Sequence, residues 1–356
     1  MKKSLIYKPL FSLFFIALAS QVAFAQEKTK SIQKEYELDK DADVYISNKY
    51  GKVQIDTWSQ NKAILNVEIK AEGRNESRTR EMLERIKIDI DNDTPGSLSV
   101  VTQINSMSSR GKEHFAINYY LKIPKTVSLR LKNSFGPTSL DNFDGPLEAD
   151  LRYCDSFRAQ NLTGKSEIEL QFSKARIESM AKGRLEPKYT ETRLAKARDI
   201  ELDSRFSEVK IGEVESLDLD IQYGELDVDK AERVSGKFSF TPVQIKNLKE
   251  YAKLSGRYGG DFEIKYVAPD FESVTVETQF TDVEVGIDKR AKAEVEADLS
   301  FADFDYPNES WVDFHYREKG NTSSKYRGKI GGGGTSKVKF KSSYGDVELE
   351  EAELDD

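Results

Sequence analysis

From Tyr189 to Phe240 the chain keeps a 17-residue beat, an aromatic residue followed at once by a small one: Tyr189-Thr190, Phe206-Ser207, Tyr223-Gly224, Phe240-Thr241. With steps of 17 to 22 residues and two longer excursions, the beat extends to Tyr50-Gly51, Phe135-Gly136, Tyr153-Cys154, Phe172-Ser173, Tyr258-Gly259, Phe280-Thr281, Phe301-Ala302 and Tyr344-Gly345. A unit this short cannot bury a core alone, so its copies must stack.

The residues around each aromatic say how a unit is built. Before Tyr223, Leu217, Leu219 and Ile221 stand six, four and two residues away; after it, Leu226 and Val228 stand three and five away. Side chains of a strand alternate between faces, so this change of parity marks a corner between Tyr223 and Leu226. Ala231 supplies a third inward contact. The same grammar surrounds Phe206 (Ile200, Leu202, Val209, Ile211, Val214) and Phe280 (Val274, Val276, Val283, Val285), with charged or polar residues between. The expectation is an all-β chain, a right-handed single-stranded β-helix or solenoid with rungs of about 17 residues and a small α/β N-terminal cap. Strands about 4.8 Å apart would make a rod on the order of 50 Å long. The aromatic beat is expected to stack along an inner corner, its small neighbour fitting the turn. Extra residues at Ser156 and Gly260 read as bulges.

Two excursions interrupt the beat. Between Tyr50 and Phe135, Leu65-Val67-Ile69, Ile86-Ile88-Ile90 and the series Phe115 to Ile123 alternate as strands. Asn75 to Arg85 reads as a short amphipathic helix capped by Asn75, and Asn92 to Gly96 as a turn. The organisation expected is a leader over 1–25, an N-terminal rung with its sheet-plus-helix cap over 26–125, repeats over 126–306, and an excursion with a C-terminal rung over 307–356. The late excursion carries Trp311, Phe314, His315, Tyr316 and Tyr326, then Gly331 to Gly334. If exposed, these aromatics are the candidate ligand surface, since aromatic platforms stack on sugar rings or anchor proteins; otherwise they fold back as a hydrophobic cap.

The first residues read as an export signal: Lys2, Lys3 and Lys8, an apolar run from Leu10 to Val22, and Ala23-Phe24-Ala25 at the cleavage positions. A run of about thirteen residues falls short of the roughly 20 that span a bilayer, and no later stretch is longer. Removing this leader takes three of the 54 basic residues and none of the 62 acidic ones, leaving 51 against 62 and a formal charge of −11. That balance argues against nucleic acid and against adhesion to anionic lipid. The location expected is the periplasm, the outer-membrane surface or the extracellular space.

The usual signatures of chemistry are missing. The two histidines, His114 and His315, stand apart without ligand-spaced partners, and the sequence has no zinc motif, nucleophile elbow or calcium loop. The glycines of Gly328 to Lys337 lack the Lys-Ser/Thr pair that should follow them in a phosphate loop. Cys154, the single cysteine, occupies the small slot shared by Gly136, Ser173, Thr190 and Ser207, which reads as a buried corner residue. The outward acids Asp150, Glu169, Glu186, Asp203 and Asp220 recur at nearly every rung, whereas a catalytic site would concentrate them; they read as a solvated face paired to Lys and Arg. No catalytic, metal or cofactor residue is assigned.

Taken together, the leader, Ser47-Asn48-Lys49-Tyr50-Gly51-Lys52-Val53-Gln54-Ile55, the helix-bearing insertion and Ile123-Pro124-Lys125-Thr126-Val127-Ser128-Leu129 before the aromatic-small coils resemble the bacterial putative-adhesin family. That family is a domain-of-unknown-function group common in Bacteroidetes. The resemblance spans nearly the whole chain after the leader and implies an exported β-solenoid with no catalytic residues. Phe-Ser, Phe-Thr and Tyr-Cys stand here where the family pattern has aromatic-Gly. The expected function is non-enzymatic: an envelope protein binding glycan or protein through its solenoid surface. The alternatives are a periplasmic structural or signalling accessory and a polysaccharide-processing enzyme.

Overall fold

The computed structural model describes residues 26–92, 96–106, 113–308 and 310–354. The export signal therefore lies outside the described residues, as does part of the turn at Asn92 to Gly96. Among the described residues the chain forms 23 strands and one helix, and the strands join in one continuous hydrogen-bonded sheet.

The 17-residue period becomes a register. Strand Glu208–Gln222 pairs in parallel with Glu191–Arg205 before it and Glu225–Ser239 after it, placing Leu217 beside Ile200 and Val234, and Ile211 beside Leu194 and Val228. Each of these middle tiers is thus a 15-residue strand closed by the aromatic-small pair. Inward residues of Glu208–Gln222 are Val209, Ile211, Val214, Leu217, Leu219 and Ile221, all nearly inaccessible. Apolar residues in register form a column from tier to tier, while the intervening charged residues face out. Farther along the stack, Val243–Val267 meets Ser273–Asp288 with register shifts, one of them between Arg257 and Gly260.

At the N-terminal end the Tyr50 tier consists of Asp43–Lys49 and Val53–Trp58. It lies parallel to Ser128–Ser134 and Thr138–Leu140 on one side and to Ser97–Ile104 and His114–Pro124 on the other. Pairing then turns antiparallel: Ile86–Asp91 joins Ser97–Ile104, Lys62–Gly73 joins His114–Pro124, and Gln26–Glu37 joins Lys62–Gly73. The two outermost strands are rich in Lys, Glu and Asp, which discourages pairing with another chain. The helix Glu76–Arg85 starts where expected: Asn75 accepts a hydrogen bond from the Arg78 backbone N–H at 2.9 Å.

At the other end, spatial order departs from chain order. Strand Ser336–Ser343 enters between Ser273–Asp288 and Ala293–Ser300, parallel to both, so that Val338 lies between Val274 and Val295. Val347–Ala352 likewise pairs with Ser273–Asp288, and its start with Phe304–Asp305. The last tier in sequence is next to last in space. The hairpin of Val312–Lys319 and Ser323–Ile330 lies antiparallel against Ala293–Ser300 and covers that end.

Candidate functional site

The ladder is real, but it is outside. Twelve non-glycine residues among those described have positive φ, and all twelve are the aromatic residues of the beat, with φ between 50° and 62°. In this left-handed conformation the side chain leaves the corner outward, and the following small residue takes the inner position instead. The twelve rings are 41 to 56% exposed, whereas Cys154, Ser173, Thr190, Ser207, Thr241 and Thr281 beside them are buried. The expected inner-corner ladder is corrected accordingly. The parity change does mark a corner; what it could not reveal was the sign of φ at the aromatic residue.

In space the order is Tyr50, Phe135, Tyr153, Phe172, Tyr189, Phe206, Tyr223, Phe240, Tyr258, Phe280, Tyr344, Phe301. Successive ring centroids are 4.7 to 5.2 Å apart with planes within 10° of parallel. Tyrosine and phenylalanine alternate without exception. In sequence the alternation breaks at Phe280, Phe301, Tyr344; insertion of the Tyr344 tier restores it. At the N-terminal end Phe115 meets Tyr50 edge-on, 5.3 Å away at 70°. Tier spacing sets ring spacing, so neighbouring rings cover one another's faces and present edges and tyrosine hydroxyls outward.

The corner backbone is well satisfied. The Phe206 N–H donates to the Gln222 carbonyl at 3.0 Å, and the Tyr189 N–H to the Arg205 carbonyl at 3.0 Å. In the small slot the Ser207 hydroxyl donates to the Arg205 carbonyl at 2.9 Å and accepts the Thr190 N–H at 3.0 Å. Cys154 fills the same slot, its Sγ 3.7 Å from the Arg152 carbonyl, and its N–H is taken by the Ser173 hydroxyl at 3.0 Å. Burial pushes the Cys154 thiol up from its ordinary pKa, opposite to what a reactive thiolate requires.

Two energies of similar size meet at each aromatic. A left-handed conformation costs about 1 to 2 kcal/mol for a residue with a Cβ. Burying half a ring, about 100 Å², returns about 2.5 kcal/mol at 25 cal/mol per Å². The net gain per tier is small, while the exposed product is large. Half of twelve rings is roughly 1,200 Å² of contiguous aromatic stripe, against the few hundred Å² usual on a monomer.

The aromatics of the late excursion behave differently. Trp311 and Tyr326 are buried, and Phe314 packs partly against the core. Phe304, Phe314 and Tyr326 meet edge-to-face at 5.1 to 5.9 Å. The Trp311 indole N–H donates to the Lys289 carbonyl. His315 and Tyr316 are exposed, and the Tyr316 hydroxyl donates to Glu318 at 2.6 Å. Of the five residues proposed from sequence, only these last two stand open to solvent.

The outward acids are paired with bases. Arg152 bonds Asp150 at 2.8 Å, Lys188 reaches Glu169 and Glu186, and Arg205 reaches Asp203 and Asp220, which also holds Lys237. Burial raises the pKa of Asp220, but Lys237 and Arg205 outweigh it and hold the carboxyl below its ordinary range. A general acid needs the opposite shift. The exception is at the C-terminal end, where burial and the neighbouring Glu350, Glu263 and Glu348 raise Glu284. Among the described residues no cluster of three or more His, Cys, Asp or Glu could hold a metal ion, and no helix is long and apolar enough to cross a membrane.

The sequence did hold a signal for the outward ladder. Six of the twelve rings are tyrosines, whose hydroxyls would need partners in an apolar interior column.

No family model and no curated protein matches the chain. Three crystal structures overlie it along most of its length. A putative cell adhesion protein from Clostridium sporogenes is 10% identical, covering 91% of this chain and 100% of its own, with a TM-score of 0.23. A putative adhesin from Parabacteroides merdae is 11% identical, covering 90% and 96%, with a TM-score of 0.34. A putative adhesin from Bacteroides fragilis is 8% identical, covering 90% and 97%, with a TM-score of 0.22. Superpositions this loose leave the functional question to the chain's own surface.

Proposed function

We propose that this chain is a non-enzymatic exported envelope protein that acts by contact, adhesin-like, binding glycan or protein through the outer surface of a right-handed β-solenoid with rungs of about 17 residues. One observation supports this most: a column of twelve stacked, half-exposed aromatic rings running along the rod. Large exposed apolar patches mark interaction sites. The outward carboxylates of the middle tiers are held in ion pairs with Lys or Arg, and the raised Glu284 and Glu350 lie among other carboxylates at the C-terminal end. The leader expected over 1–25 would place the protein in the periplasm, at the outer-membrane surface or outside the cell.

The test is retention of ligands from a glycan array and from envelope extracts, comparing the wild-type protein with a Tyr189→Ser, Phe206→Ser, Tyr223→Ser variant shown to be folded. Retention by the first and its loss in the second is the expected result. No retained ligand from either source would overturn the reading. Fractionation with surface proteolysis would locate the protein, and a purely periplasmic pool would remove surface adhesion.

A further inference from the structure

The aromatic ladder does not lie in a neutral field. The residue before each ring faces outward, and in ladder order this column reads Lys49, Ser134, Arg152, Gln171, Lys188, Arg205, Gln222, Ser239, Arg257, Gln279, Ser343, Ser300. It contains five bases and no acid. The residue two after each ring also faces outward, giving Lys52, Pro137, Asp155, Lys174, Glu191, Glu208, Glu225, Pro242, Gly260, Asp282, Asp346, Asp303. It contains seven acids and two bases. A basic edge, an aromatic stripe and an acidic edge therefore run side by side along the stack.

We propose that the ladder is a self-association surface, occupied by a second copy of this chain lying parallel to the first about a two-fold axis along the ladder. The inference rests on reading the ladder as a contact surface. Two observations select the occupant. The first is area: roughly 1,200 Å² of exposed ring per copy exceeds the roughly 800 Å² per partner of a stable interface, so partial coverage would suffice. The second is charge. When two copies meet face to face about an axis parallel to the ladder, the basic edge of each lies over the acidic edge of the other. A two-fold axis across the ladder would instead set base over base and acid over acid.

In the parallel arrangement every residue faces its own tier in the partner. Arg152 then approaches Asp155 of the second copy, Lys188 approaches Glu191, and Arg205 approaches Glu208. Gln222 meets Glu225, Gln279 meets Asp282, Ser343 meets Asp346 and Ser300 meets Asp303, each an amide or hydroxyl donor facing a carboxylate. Only the Tyr50 tier sets like charges together, Lys49 against Lys52. The three central bases already pair within the chain with Asp150, Glu169, Glu186, Asp203 and Asp220, so the partner's acids join existing networks. Stacked rings present their edges, and about this axis the edge of each ring meets the edge of its own counterpart, Phe opposite Phe and Tyr opposite Tyr. A sugar ring, by contrast, prefers an aromatic face.

Sedimentation velocity of the purified protein across a concentration series should show a dimer. Substituting Arg152, Lys188 and Arg205 by Glu, which leaves the core untouched, should weaken dimerisation at least about tenfold. Substituting Asp155, Glu191 and Glu208 by Lys should do the same, and mixing the two variants should restore a heterodimer. Direction is read by cross-linking with a bis-maleimide in a Cys154→Ser background, since apposed rings hold the backbones beyond disulfide reach. A parallel dimer makes Phe280→Cys cross-link to itself, while an antiparallel one would require mixing it with Tyr153→Cys. A monomer at every concentration, or cross-linking only in that mixture, overturns the proposal. A monomer that still loses glycan or extract binding when the ladder is changed to Ser would overturn self-association alone. A monomer whose binding ignores the ladder would overturn the contact-surface reading as well.

Discussion

Two groups of aromatic residues sit within a few tiers of each other and take opposite forms. Along the ladder the rings stand nearly parallel, half in solvent, each on a left-handed backbone. At the C-terminal hairpin Phe314 and Tyr326 meet Phe304 of the strand Phe304–Asp305 edge-to-face around a mostly buried centre. Residue type is the same in both. What differs is the backbone beneath: a corner residue with positive φ must aim outward, while a strand residue on the inward parity must aim at the core. Exposure of an aromatic residue here is a property of its place in the turn, not of its hydrophobicity.

The comparison breaks first at the buried cluster. Replacing Tyr326, 2% exposed, by Ala should cost about 3 to 5 kcal/mol, because it empties a cavity between Phe304 and Phe314. Chemical denaturation measures the loss, and a cost below about 1 kcal/mol would mean that the hairpin aromatics are not core. A smaller effect is expected on the ladder. Phe206→Gly gives up half a buried ring and its stacking against Tyr189 and Tyr223 but relieves the left-handed strain, so the net cost should be about 1 kcal/mol. If it costs as much as Tyr326→Ala, the ladder is a structural spine and its exposure incidental.

The smallest effect concerns carboxylates, where context divides like residues in the same way. Glu284 lies in register with Glu263 and Glu348, while acids of the middle tiers lie beside Lys or Arg. Its pKa is raised in the folded protein, so ionised Glu284 weakens the fold above that pKa, and the penalty disappears as pH falls through it. Glu284→Gln should therefore stabilise the protein at neutral pH by roughly 0.5 kcal/mol, fading in acid, as followed by thermal melts at several pH values. A gain that persists in acid would show that electrostatics is not the cause.

Several features are legible in the sequence alone. The Asn75 cap, the alternation at Leu65, Val67 and Ile69, and the inward set around Tyr223 all follow from local periodicity, and the structure places them as read. Cys154 is buried in the slot its place in the repeat predicts, since position in a repeat outweighs residue identity. Recurrence marks the acids of the middle tiers as a solvated face, and they form ion pairs with Lys and Arg. The late excursion stayed ambiguous because Trp311 and Tyr316 carry no periodic mark. Burial separated them, leaving the first against the core and the second in solvent.

Strand parity is a local property of the chain, and it is enough to set the period, the inward positions and a corner beside every aromatic residue. Two things belonged to the tertiary structure alone. One is the side of the corner on which the rings stand, which depends on a backbone angle that parity does not encode. The other is the order of the last tiers, with Tyr344 entering between Phe280 and Phe301, because that pairing joins residues 64 apart, a non-local contact that local periodicity does not encode. Both choices created the same object: a single uninterrupted column of alternating tyrosine and phenylalanine, facing solvent.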